Sequence, residues 1–150
     1  MTYQGRGNFH LFDKYFVKKK IGIIAEWEHI APIFAFVQAL VFNKDKGIKI
    51  QIIHIGETNL DIPLKKEMED FEREEPNMID LYYLVDQVID DDKWFHDIGQ
   101  IDANLIKKYM PEPSEETLMI SSCSEETNER VENILLNEIG YDSSEMFHKL

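Results

Sequence analysis

The 150-residue chain contains a single cysteine, Cys123, so no internal disulfide can form and a reducing compartment is expected. Basic residues are scarce: 16 Lys and Arg stand against 29 Asp and Glu, a net charge of −13. Such a chain repels phosphates on average, which argues against a general role on nucleic acid or acidic membranes. The run Lys18-Lys19-Lys20 leaves two readings open, a local basic patch or a solvated entrance to a strand. No apolar run reaches the roughly 18 residues of a membrane span, and no secretory signal opens the chain. A soluble, intracellular and cytoplasmic protein is therefore expected. The five histidines have no metal-ligand spacing, and one thiol cannot complete a zinc site. Walker loop, Ser-His-Asp arrangement, internal repeats and low-complexity segments are all missing.

What the chain does have is a core. Hydrophobic residues make up 43% of it, nine of them Phe, and 150 residues suit one domain. Short apolar runs alternate with helical patterns. Ile21–Ala25 reads as a buried parallel strand, and Ile30, Ile33, Phe34, Val37, Leu40 and Val41 then recur at helical spacing. Residues 48–55 read as the second strand, and Leu64, Met68 and Phe71 mark a helix closed by Pro76. Further strands are predicted at 79–85 and 117–121, with a Trp-bearing loop and a short helix near 102–109 between them. Val131, Ile134, Leu135 and Leu136 lie on a final helix that stops near Gly140. This order predicts an α/β three-layer sandwich, a central parallel sheet with helices on both faces. In such folds ligands sit beyond the carboxyl ends of the strands, here the loops 25–30, 56–62, 86–99 and 122–127.

Those loops carry a resemblance. "YQGRGNF" (3–9) matches Y-x-G-x-G-x-F, and "GIIA" followed by "IAPIFAFVQ" matches G-x-I-A-G-G-T-G-I-T-P. "ETNLDIPLKKEMEDF", "YYLVD", Trp94 with "GQI" (99–101), and "LNEIGY" match further motifs in order. The chain resembles the pyridine-nucleotide-binding half of the ferredoxin-reductase superfamily, in particular NADH–cytochrome b5 reductases and the related part of nitrate reductases. The resemblance implies a linker remnant at 1–12, an NAD(P)-binding-like domain at 13–150, and a flavin domain preceding Tyr3 that this chain does not contain. It also implies NADH as hydride donor, FAD only through that flavin domain, and a haem protein as electron acceptor. Starting inside a linker, the chain is expected to be a piece of a longer flavoprotein.

The departures from the family pattern fall on the chemistry. Where the family has G-G-T-G, this chain has Glu26-Trp27-Glu28-His29, and only Ile30 and Pro32 of the following I-T-P remain. Glycines there let backbone N–H groups and a helix's positive end meet the pyrophosphate. Two unit charges of like sign about 4 Å apart repel by on the order of 4 kcal/mol at an effective dielectric of 20. About 1.4 kcal/mol is tenfold in affinity, so even a screened clash with Glu26 and Glu28 weakens NADH. The same two carboxylates also suit a helix N-terminus directly.

The family's cysteine slot, beside the nicotinamide, falls on Ser122 without a gap or on Cys123 with one. Ser124-Glu125-Glu126-Thr127 replaces the glycine-proline turn there, with Ser124 as a candidate N-cap. Asp61 takes the acidic position that favours NADH over NADPH, or else is an ordinary N-cap before Ile62-Pro63; Thr58 lies in the adenosine-side loop. The candidate cofactor-binding residues are thus Ile30, Pro32, Thr58, Asp61, Ser122 and Cys123, with no catalytic residue. The expected function is the NADH-binding domain of a cytochrome b5 reductase-like oxidoreductase with a degenerate site. The alternative is a non-catalytic interaction or regulatory domain that kept the fold.

Overall fold

A computed structural model describes residues 18–43, 47–142 and 147–150. The proposed linker at 1–12, with its motif at 3–9, lies outside the described residues.

Isoleucine-rich segments supply the strands, because β-branched side chains pack well on a pleated surface buried on both faces. β1 (Lys20–Glu26), β2 (Lys49–Thr58), β3 (Ile79–Gln87) and β5 (Thr117–Ser122) follow the predicted runs and extend slightly past them. β4 (Asp97–Ile98) and β6 (Phe147–Lys149) were not expected. Both are too short to show a hydrophobic period, and both sit at the ends of the sheet. The strand order is β4-β3-β2-β1-β5-β6, with every neighbouring pair parallel.

The helices are α1 (Ile30–Asn43), α2 (Lys65–Glu74), α3 (Ala103–Tyr109) and α4 (Glu125–Asn133). α4 runs on into a π-helical turn, Ile134–Ile139, which ends at Gly140 with φ of 102°. Only glycine adopts that left-handed conformation without strain, and its N–H donates to the Leu135 carbonyl at 2.9 Å. One core lies between the sheet and α1 and α2, joining Ile21, Ile23, Ile50 and Ile52 to Ile33, Val37, Leu40 and Met68. The other lies under α3, α4 and the π-helical turn, where Ile24, Ile53 and Met119 meet Ile106, Val131 and Leu135. Each fully buried Ile or Leu contributes about 1.5–3 kcal/mol relative to exposure, so these two layers dominate the stability.

α2 begins at Lys65, after Leu64, whose left-handed φ of 56° breaks the chain there. Asp61 therefore does not cap it. Asp61 is itself exposed and left-handed, with φ also 56°, a conformation aspartate tolerates better than most residues.

His54 is a polar residue in the first core. It is fully buried on β2, in register with Ala25 of β1 and Tyr83 of β3, and tilted against the Tyr83 ring at 5.8 Å. Neither ring nitrogen has a hydrogen-bond partner. Burial therefore disfavours the imidazolium, and the pKa is pushed down from 6.5 to about 4. Between those two values the unfolded chain binds a proton that the folded chain refuses. This contribution to stability is thus intact above pH 6.5 and is lost as the pH falls through the window. The effect amounts to up to about 3 kcal/mol. Urea denaturation from pH 7 to pH 4.5 should show this loss, and His54→Leu should flatten it; an unchanged slope in the variant would refute the assignment.

Candidate nucleotide cleft

The sheet order changes direction at β1. From there the chain winds outward through β2, β3 and β4, then returns to lay β5 on the other side. At such a switch point the loops leaving adjacent strands part in opposite directions and open a crevice at the carboxyl ends. A cleft of about 400 Å³ lies there. All four predicted loops contribute: Glu26, Trp27, Glu28 and His29 after β1, Gly56 and Glu57 at the end of β2, Asp86 and Gly99 around the β3–β4 loop, and Ser124, Glu126 and Thr127 after β5.

Glu26 ends β1 and the backbone then makes a 3₁₀ turn, Trp27–His29, before α1. Its carboxylate reaches across the crevice to the start of α4. One oxygen accepts the Ser124 N–H at 2.6 Å and the other accepts the Thr127 hydroxyl at 3.0 Å. Ser124 is the expected N-cap, its hydroxyl accepting from the Thr127 N–H at 3.3 Å. A carboxylate is stable here because α4 presents unpaired N–H groups and the positive end of its dipole. The Ser122 hydroxyl donates to the His29 carbonyl at 2.8 Å, a second tie between the same two loops. The two carboxylates of the 26–29 stretch thus do not share one role. Glu26 caps α4 rather than α1, and Glu28 is exposed in the cleft wall.

Trp27 lies against the last turn of β2. A Cβ built on Gly56 would stand 1.7 Å from the indole Nε1, so the ring rests directly on the glycine backbone. Glycine is required at 56 because of the tryptophan. The rest of the cleft is acidic. Glu28, Glu57, Asp86 and Glu126 line it, and Arg130 is the nearby guanidinium, hydrogen-bonded to the Gln100 side chain.

None of the six residues expected to bind a cofactor lines this cleft. Ile30 is buried in the first core and Pro32 is exposed on the first turn of α1. Thr58 closes its own turn, accepting from the Leu60 N–H at 3.1 Å, and Asp61 faces solvent. The Ser122 hydroxyl is spent on the His29 carbonyl. Cys123 points into the second core, its thiol donating to the Ile24 carbonyl at 3.5 Å. Burial pushes that thiol up to about 12, so it is protonated and inert at neutral pH. Sequence reasoning missed Ile55 near the end of β2, and Gln100, Ile101 and Arg130, whose approach depends on how the segment after β4 and helix α4 fold back.

A family model, the oxidoreductase NAD-binding domain, matches residues 28–127. The chain belongs to this family. The chain is 29% identical over 142 residues to NADH nitrate reductase 2 of Nicotiana tabacum, a match covering 95% of the chain and 16% of that protein. It is 28% identical over 104 residues to NADH-cytochrome b5 reductase 1 of Lodderomyces elongisporus, covering 69% of the chain and 34% of the relative. The chain therefore spans about a sixth and a third of these two relatives. Among solved structures, the cytochrome b5 reductase domain of Ulva prolifera nitrate reductase superposes with a TM-score of 0.81 at 19% identity, covering 89% of the chain and 50% of that one. The CS-b5R domains of human Ncb5or in the NAD+ form give 0.75 at 14% identity, covering 91% and 38%. The parallel sheet with helices on both faces is thus the ferredoxin-reductase-like fold.

The Trp27–Gly56 contact gives a direct test. Gly56→Ala should cost about 2 kcal/mol by overpacking, or expel the indole with a red-shifted Trp fluorescence. In the background of Trp27→Ala the same change should cost little. Additive losses in a chemical-denaturation cycle would show that the two residues do not interlock.

Proposed function

We propose that this chain is the pyridine-nucleotide half of a cytochrome b5 reductase-like flavoprotein oxidoreductase whose own nucleotide site is degenerate. One observation carries the reading. The Glu26 carboxylate already holds the N–H and hydroxyl groups at the start of α4, the place in the crevice best suited to a ligand's anionic group. A pyrophosphate would have to displace it and would then meet Glu28, Glu57 and Glu126. The residues present do not fit a dinucleotide, and no catalytic step is assigned to them. FAD and a haem-protein acceptor, implied by the resemblance, would belong to other domains or chains. A second reading, a domain kept for its interactions, is favoured by the exposed side chains of the β3–β4 loop.

Calorimetric titration should give an NADH dissociation constant weaker than about 1 mM, a standard free energy of only about −4 kcal/mol. Combining Glu26→Gly, Trp27→Gly, Glu28→Thr and His29→Gly should tighten binding at least tenfold, provided circular dichroism shows the variant folded. Micromolar binding by the unaltered chain would overturn the degenerate site. NADH–ferricyanide turnover by the chain alone, with FAD added, is expected to stay at background.

A further inference from the structure

The β3–β4 loop combines exposed apolar side chains, a braced backbone and a concentration of one charge. Trp94 and His96 turn inward. The His96 ring meets Tyr83 edge-on at 5.0 Å and Trp94 at 5.0 Å, while Tyr83 and Trp94 lie 6.2 Å apart. Phe95, between two inward residues, must point out, and it is 85% exposed even with its ring against His96 at 4.1 Å. Ile98, on β4 at the sheet edge, is 59% exposed.

The loop is tied at both ends. The Asn59 side chain donates to the Ile89 carbonyl at 3.0 Å and accepts its N–H at 2.7 Å, and the Gly99 N–H donates to the Val85 carbonyl at 2.8 Å. Phe95 and Ile98 are two of the large apolar side chains that the fold leaves exposed, and the backbone that carries them is tied in place.

Residues 86–98 contain five aspartates and one lysine. Asp86, Asp90 and Asp92 are exposed, and none of the five is in a salt bridge among the described residues. Asp91 accepts the Lys93 N–H at 3.0 Å and Asp97 is hydrogen-bonded to Tyr109, so these two are shaped by the loop itself. Charge decides what covers the apolar pair. A nucleic acid or an anionic membrane would be repelled. A second copy of this chain, related by a two-fold axis through the face, would set aspartates against aspartates. A protein with lysines or arginines around an apolar centre is attracted at long range and desolvates Phe95 and Ile98 at contact.

We propose that the β3–β4 loop is a docking face for such a partner, with Phe95 and Ile98 as its apolar anchor and the aspartates as its steering rim. The inference does not depend on whether NADH binds, and its test contains no nucleotide. The probe is cytochrome c, a small basic protein whose apolar haem edge is ringed by lysines, titrated into ¹⁵N-labelled full chain. Shifts should centre on residues 94–98. Affinity should fall at least tenfold in Phe95→Ser, and again between about 0.1 M and about 0.5 M salt as the charges are screened. Asp90→Asn with Asp92→Asn should slow association with little change in thermal stability.

Three outcomes would overturn the proposal: no binding up to about 1 mM probe, shifts centred elsewhere, or binding unchanged in Phe95→Ser. Self-association of the free chain, abolished by Phe95→Ser, would overturn it too and give the face to a second copy.

Discussion

The reach of one carboxylate across the sheet's switch point organises the site. Glu26 leaves the central strand at the place where the fold opens a crevice by topology alone. The backbone donors of two loops that diverge are satisfied by a ligand, by water or by each other. Here they are joined, through Glu26 to Ser124 and Thr127 and through Ser122 to the His29 carbonyl. The aspect that attracts a phosphate in related folds, free N–H groups at a helix start, is thereby satisfied from within the chain. Glu125 and Glu126 in the first turn of α4 add to the same complementarity.

The two faces of the sheet divide the remaining labour. Under α1 and α2 the core includes an imidazole and a row of aromatic rings, His54 and Tyr83 with Trp94 behind, and the Tyr83 hydroxyl donates to Glu69 of α2 at 2.8 Å. That chain of contacts runs from the middle of the sheet to its β4 edge and fixes the posture of the β3–β4 loop. Under α3 and α4 the packing is mainly aliphatic and sulfur-containing, with Tyr141 and Phe147 among it, and it absorbs Cys123 as a small hydrophobe. A thiol placed one residue later would have faced the cleft, where Ser124 now stands.

Much of the architecture was legible because burial on both faces forces near-continuous apolar runs, as in Ile21–Ala25 and Thr117–Ser122, and because caps have local chemistry, as at Ser124 and Gly140. β4 and β6 escaped because two or three residues at a sheet edge carry no period. Asp61 was misjudged as a possible cap because Leu64, a poor residue for a left-handed turn, adopts one and delays the helix. The four loops around the cleft were recognisable from the strand ends, yet the residues carried over from the family pattern missed its walls. Motif positions describe where a ligand would touch an unobstructed backbone. Here Glu26 and Trp27 share the walls with Gly56, Gln100 and Arg130, whose approach is decided by tertiary folding.

The contact between Trp27 and Gly56 also bears on how such a domain can change over generations. The indole and the bare backbone fit as one unit. Shrinking the tryptophan alone leaves a void over β2, and enlarging the glycine alone forces a collision. Placing glycines after β1 one at a time would therefore pass through less stable chains. The interlock couples the two positions, so that neither is free to change unless the other changes with it.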